Sequence, residues 1–136
     1  MPWPPRPRIL VVDDERAFTD VLAEFLEQEG YQVERAYNGD QALRLMQRAR
    51  PDLVLSDVML PKRSGTDLVV AARCLFPAQP LPFILLSAGR DPGLAGDHVC
   101  FLSKPLDFDR LLRQVQHLLE TGAPLSPSPR LPLGPR

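Results

Sequence analysis

A surplus of charge of one sign is what this sequence most plainly lacks. Sixteen Lys and Arg stand against seventeen Asp and Glu, a formal net charge of −1 over 136 residues. Nucleic-acid-binding domains carry a basic surplus, so direct contact with nucleic acid is disfavoured, as is an electrostatic hold on a membrane surface. No apolar run approaches the roughly 18 residues of a spanning helix, and Met1-Pro2-Trp3-Pro4-Pro5 is no signal peptide. A cytoplasmic protein with no membrane partner is therefore expected. Cysteine is scarce: Cys74 and Cys100 form no CxxC and have no His at metal-ligand spacing, so both read as buried free thiols. His98 and His117 read as a loop and a helix-surface residue and receive no role.

Proline is in excess, at 16, but unevenly placed, with four in residues 1–7 and five in residues 124–135. The folded unit therefore reads as residues 8–120. A Pro-rich extension over 1–7 and a disordered Pro-rich tail over 121–136 flank it. The length suits one domain, and the tail is too short for an output domain.

Within the folded unit, Ile9-Leu10-Val11-Val12, Leu53-Val54-Leu55 and Phe83-Ile84-Leu85-Leu86 are short continuous apolar runs. Such runs fit strands covered on both faces. Phe18, Val21, Leu22, Phe25 and Leu26 recur at helical spacing, which predicts an amphipathic helix from about Glu15 to Glu29, stopped at Gly30. A strand over Tyr31 to Ala36 follows, then a helix from Asn38-Gly39 ended by Pro51. A further helix opens at Thr66 and runs to about Phe76. A last strand, Val99 to Leu102, precedes a helix from about Asp107 whose stripe is Phe108, Leu111, Leu112, Val115, Leu118 and Leu119. Alternating elements of this kind predict an α/β fold, a doubly wound parallel sheet with its functional groups at the carboxyl ends of the strands.

Asp13, Asp14, Asp57, Ser87 and Lys104 all fall where a strand is predicted to end. Carboxylates gathered on one rim repel each other unless a cation lies among them. Mg²⁺ keeps several waters and takes one or two carboxylates plus phosphate oxygens, which suits Asp14 and Asp57 with a backbone carbonyl, Asp13 acting through water. A carboxylate also attacks phosphorus to form an acyl phosphate, and Asp57 is the candidate nucleophile. The transferring phosphoryl group needs countercharge, which Lys104 can supply, with Ser87 beside it. Each residue has a plainer reading too: Asp13-Asp14 as a helix N-terminal cap, Ser87 as the cap of the next segment, Phe101 as core.

Four motifs then occur in order: Ile9-Leu10-Val11-Val12-Asp13-Asp14-Glu15, Asp57-Val58-Met59-Leu60-Pro61 with Gly65 after it, Leu86-Ser87-Ala88, and Ser103-Lys104-Pro105. Over about Arg8 to Glu120 the chain resembles the response-regulator receiver domains of two-component signalling. The resemblance implies a flavodoxin-like five-stranded sheet of order 2-1-3-4-5. It further implies phosphorylation of Asp57, metal held by Asp13, Asp14, Asp57 and the Met59 carbonyl, and phosphoryl contacts from Ser87 and Lys104. Phe101 matches the family's switch aromatic, and Lys104-Pro105 its cis peptide. A histidine kinase or histidine phosphotransfer domain would be the donor, and a further protein the target.

The pattern departs from the family between Ser87 and Lys104, where only sixteen residues intervene and Gly89, Pro92, Gly93 and Gly96 crowd the gap. Pro and Gly weaken helix interiors, so the family's fourth helix is expected to be short or absent. Its usual contact face is then rebuilt, which favours a changed choice of partner over changed chemistry. Two other readings compete with a phosphorylation switch. One is a receiver-like adaptor that works without phosphorylation. The other is a phosphoester hydrolase, for which no segment is long enough to form a cap.

Overall fold

Each short apolar run becomes a strand, and the sheet lies between two layers of helices. The computed structural model describes residues 6–89 and 98–122. In chain order the elements are β1 (Arg8–Val12), α1 (Arg16–Gln28), β2 (Gln32–Ala36), α2 (Gly39–Arg48), β3 (Leu53–Asp57), α3 (Gly65–Leu75), β4 (Phe83–Ser87), β5 (Val99–Ser103) and α4 (Phe108–Thr121). The five strands are all parallel, in the order β2-β1-β3-β4-β5. The doubly wound fold and the 2-1-3-4-5 order expected from the sequence are thus both present.

Successive strand residues point to opposite faces, which splits the core in two. Ile9, Val11, Leu55, Ile84 and Leu102 meet Leu22 and Leu26 of α1 and Leu111, Val115 and Leu118 of α4. Leu10, Val12, Val54 and Leu85 meet Ala42 and Met46 of α2 and Leu68, Val69 and Ala72 of α3. With both faces covered, β1, β3 and β4 can be apolar at nearly every position. Truncating one of these buried leucines to alanine removes about 2–5 kcal/mol.

The helix ends follow local chemistry. Gly30 ends the α1 turn at φ 101° and Gly122 closes α4 at φ 78°, a left-handed backbone that glycine adopts without penalty. The third helix begins at Gly65 rather than Thr66, because Ser64 and Asp67 form a reciprocal capping box: the Asp67 amide donates to Ser64 Oγ at 3.0 Å and the Ser64 amide to Asp67 Oδ2 at 3.2 Å.

Two expectations need comment. Cys100 is buried, but Cys74 is exposed, because it lies on the outward side of α3 while Leu68, Val69 and Ala72 face the sheet. The expected short or absent fourth helix falls on residues 90–97, outside the described residues, as do the tail segments 1–5 and 123–136. Among the described residues no helix is long and apolar enough to cross a membrane.

Candidate functional site

Strand register alone brings the distant polar residues together. Val12 pairs with Ser56, Asp57 with Leu86 and Ser87 with Ser103. Asp13, Asp57, Ser87 and Lys104 therefore all lie at or one step past the carboxyl edge of four neighbouring strands. This is where a doubly wound sheet presents its functional groups.

Asp13, Asp14 and Asp57 each direct a carboxylate oxygen into one cluster, all within 4.8 Å of one another. Asp13 is buried, Asp57 half-buried and Asp14 exposed. Lys104 Nζ donates to Asp13 Oδ2 and to Asp57 Oδ2, both at 3.1 Å. Three carboxylates against one ammonium leave two negative charges in the cluster. Burial by itself lowers the Lys104 pKa. The hydrogen bonds and charges of Asp13 and Asp57 outweigh that, and the net shift is upward, so the ammonium stays charged at neutral pH.

Asp13 makes a contact with each of its carboxylate oxygens. Its Oδ1 accepts the Glu15 amide at 2.9 Å in the turn that precedes α1, while Oδ2 accepts from Lys104. Thr19 fixes the helix to the strand, its hydroxyl donating to the Asp13 carbonyl at 2.8 Å from a fully buried position. The sequence signal for Thr19 is weak, a single polar residue on an apolar helix face.

Asp57 is held from behind by packing that only glycine permits. A side chain at Gly65 would collide with the Asp57 carbonyl, which also accepts the Ser56 hydroxyl at 2.8 Å. The Met59 amide donates to Asp57 Oδ1 at 3.2 Å, while the Met59 side chain is exposed. Ser87 Oγ accepts the Gly89 amide at 2.9 Å, and its carbonyl accepts the Lys104 amide at 2.9 Å. The Lys104–Pro105 peptide is cis. A cavity of about 350 Å³ opens beside Asp57 and Lys104, lined also by Val58, Met59, Ser87, Ala88 and Gly89. Phe101 is not at this rim. Half-buried on β5, its ring packs on the core layer beneath α2 and α3.

The donor set suits a hard divalent cation: oxygen ligands only, excess negative charge, and one solvent-facing acid beside two sheltered ones. The residues present therefore fit Mg²⁺.

A parallel sheet that carries clustered acids and a lysine at its carboxyl edge defines a receiver-type module. The chain belongs to the response regulator receiver domain family, which matches it over residues 9–116. Response regulator MprA of Mycobacterium sp. (strain KMS) is 38% identical over 122 residues, covering 86% of this chain and 52% of that protein. The receiver domain of NtrX from Brucella abortus superposes with a TM-score of 0.72 at 31% identity, covering 83% of this chain and 98% of that one. The Vibrio cholerae chemotaxis protein CheY4 gives a TM-score of 0.73 at 29% identity, covering 83% and 98%. The chain spans about half the length of the curated relatives it matches.

Proposed function

We propose that the protein is a phosphorylation switch in which Asp57 accepts a phosphoryl group from a phosphohistidine on a histidine kinase or phosphotransfer partner. The observation that carries this reading is Lys104 Nζ, held 3.1 Å from both Asp13 and Asp57 within a cluster that keeps net negative charge. In the transfer an Asp57 carboxylate oxygen forms a bond to phosphorus. The bond from phosphorus to the donor nitrogen breaks, and its electron pair leaves with the imidazole. Lys104 is already placed to exchange its Asp57 contact for a phosphoryl oxygen, with Asp13 as its fixed partner. Ser87, at the mouth of the same cavity, takes the Gly89 amide on its oxygen and, among the described residues, keeps its hydroxyl proton to donate.

Asp14 and Asp57, with the Met59 carbonyl and with Asp13 through water, would hold Mg²⁺, which supplies countercharge to the phosphoryl oxygens when bound. Weak Mg²⁺-dependent self-phosphorylation and dephosphorylation follow from the same groups. The added charge then repositions Ser87 and Phe101 and alters affinity for a downstream protein in the cytoplasm, without direct nucleic-acid contact.

Incubation with acetyl phosphate and Mg²⁺, followed by intact mass, tests the reading. One phosphoryl mass is expected on the wild type and none on Asp57→Ala. A folded, Mg²⁺-binding wild type that gains no mass would overturn it in favour of a phosphorylation-independent adaptor.

A further inference from the structure

On α1 the apolar stripe is not uniformly sunk. Leu22 and Leu26 are 1% and 0% exposed, whereas Phe18, one turn nearer the rim, is only half-buried against the same core layer. The Lys104 ammonium lies over the Phe18 ring, 4.7 Å from its centroid. That distance is within the range at which a ring quadrupole attracts a cation. Among the described residues the Lys104 ammonium thus has three partners: two carboxylates that take part in the chemistry or border it, and one aromatic face that does neither.

We infer that Phe18 is a positioning residue for Lys104, holding the ammonium over the rim while it passes from Asp57 to the incoming phosphoryl group. The inference rests on the reading of Asp57 as phosphoacceptor. Before transfer the ammonium is pinned by Asp13 Oδ2, Asp57 Oδ2 and the ring. During transfer the Asp57 contact must be given up. Asp13 alone fixes one distance and leaves the long lysine chain free to swing toward solvent; the ring face supplies the second fixed point. Phe18 is itself well anchored, because the neighbouring Thr19 ties this turn of α1 to the Asp13 carbonyl. The ring also covers one side of a group whose side chain is 23% exposed, which strengthens its remaining polar contacts.

The test compares acetyl-phosphate labelling rates of the full chain as wild type, Phe18→Leu and Phe18→Tyr, and with a ring-fluorinated phenylalanine at position 18. Leucine keeps the apolar bulk and loses the ring face, tyrosine keeps the face, and fluorination drains the quadrupole at nearly constant shape. The expected result is labelling about fivefold slower for Phe18→Leu, recovery to within about twofold for Phe18→Tyr, and slowing on fluorination. The Lys104 ε-methylene proton resonances, shifted upfield by the ring in the wild type, should return toward ordinary values in Phe18→Leu. Equal rates for wild type and Phe18→Leu, or equally slow Phe18→Leu and Phe18→Tyr, would overturn the positioning role and leave the phosphoacceptor reading intact. A wild type that takes no label removes that reading, and the positioning role with it.

Discussion

The two ends of the sheet use charge in opposite ways. At the amino end, Arg8 pairs with Glu34 at 2.8 Å, its amide donates to Asp52 at 2.7 Å, and its guanidinium reaches the Arg50 carbonyl at 3.1 Å. Arg50 in turn donates to the carbonyls of Pro51, Gln79 and Pro80 and lies over Phe76. A cavity of about 480 Å³ opens there, lined by Arg6, Pro7, Arg50, Asp52, Gln79 and Leu118 among others. It is larger than the one beside Asp57 and Lys104, yet Arg50 at its edge is engaged in closing loops. At the carboxyl end three acids meet one lysine, and the imbalance is left standing. Charge that is matched holds a fold together, whereas charge left unmatched in a sheltered rim has to be answered by something that binds.

The largest expected effect comes from removing the ammonium that pairs with Asp13 and Asp57. Lys104→Ala should slow acetyl-phosphate labelling about hundredfold, the scale of losing one charged group aimed at the transferring oxygens. Arg50→Ala, at the opposite end, should leave that rate within about twofold. Parallel rates for the two variants would erase the contrast between the ends.

Next in size is the response to Mg²⁺. A ligand that binds only the folded state stabilises it by about 2.7 kcal/mol at a hundredfold excess over its Kd. The thermal midpoint of the wild type should therefore climb with Mg²⁺. Asp14→Asn should start at a midpoint equal to or above the wild type in the absence of divalent ions, since one repelling charge is gone. It should then respond weakly to added Mg²⁺. A midpoint that follows Mg²⁺ equally in both proteins would take Asp14 out of the metal set.

The carboxyl end was far easier to read from sequence than the amino end. Acids and a lysine at strand ends are conspicuous, and parallel topology dictates that strand ends converge, so Asp13, Asp57 and Lys104 could be assembled without coordinates. Contacts made through backbone or aromatic face were not legible. Phe18 has the spacing of an ordinary core residue, and nothing in a linear pattern tells that its ring carries an ammonium. Arg50 looks like a solvated loop charge until the loop after α3 folds over it. The Ser64-x-x-Asp67 box was present in the sequence, but Thr66 is an equally plausible helix opener by residue type, which moved the expected start of α3. Cys74 failed for a related reason: thiols are buried on average, but the face of the helix decides.

A smaller effect tests the amino end on its own terms. Arg50→Ala removes donors to three carbonyls of two loops, part of which water will replace, so a loss of about 1–2 kcal/mol is expected in urea unfolding. The buried Arg50 Nε finds no partner among the described residues, which keeps the expected loss below that of a fully satisfied guanidinium. A loss as large as that of a core leucine would mean that these loops carry more of the fold than their exposure suggests.

The smallest effect contrasts two protons. Tyr31, beside the amino end of β2, has its pKa raised by burial first and then by the charges of Glu29 and Glu120. Lys104 is raised against burial, by Asp13 and Asp57. The sign of the linkage is the same for both: the folded state keeps the proton after the unfolded chain has released it. Each group's contribution is therefore complete below its unfolded value, near pH 10 for both residue types, and is lost as pH rises through the folded value. Stability should decline in alkaline buffer, more gently in Tyr31→Phe than in the wild type. The causes separate on adding Mg²⁺, which draws on the carboxylates that raise Lys104 and leaves Tyr31 untouched. In a spectrophotometric titration of the phenols, the Tyr31 midpoint, identified by its loss in Tyr31→Phe, should therefore not move with Mg²⁺. A shift would mean that the two ends of the sheet are electrostatically coupled.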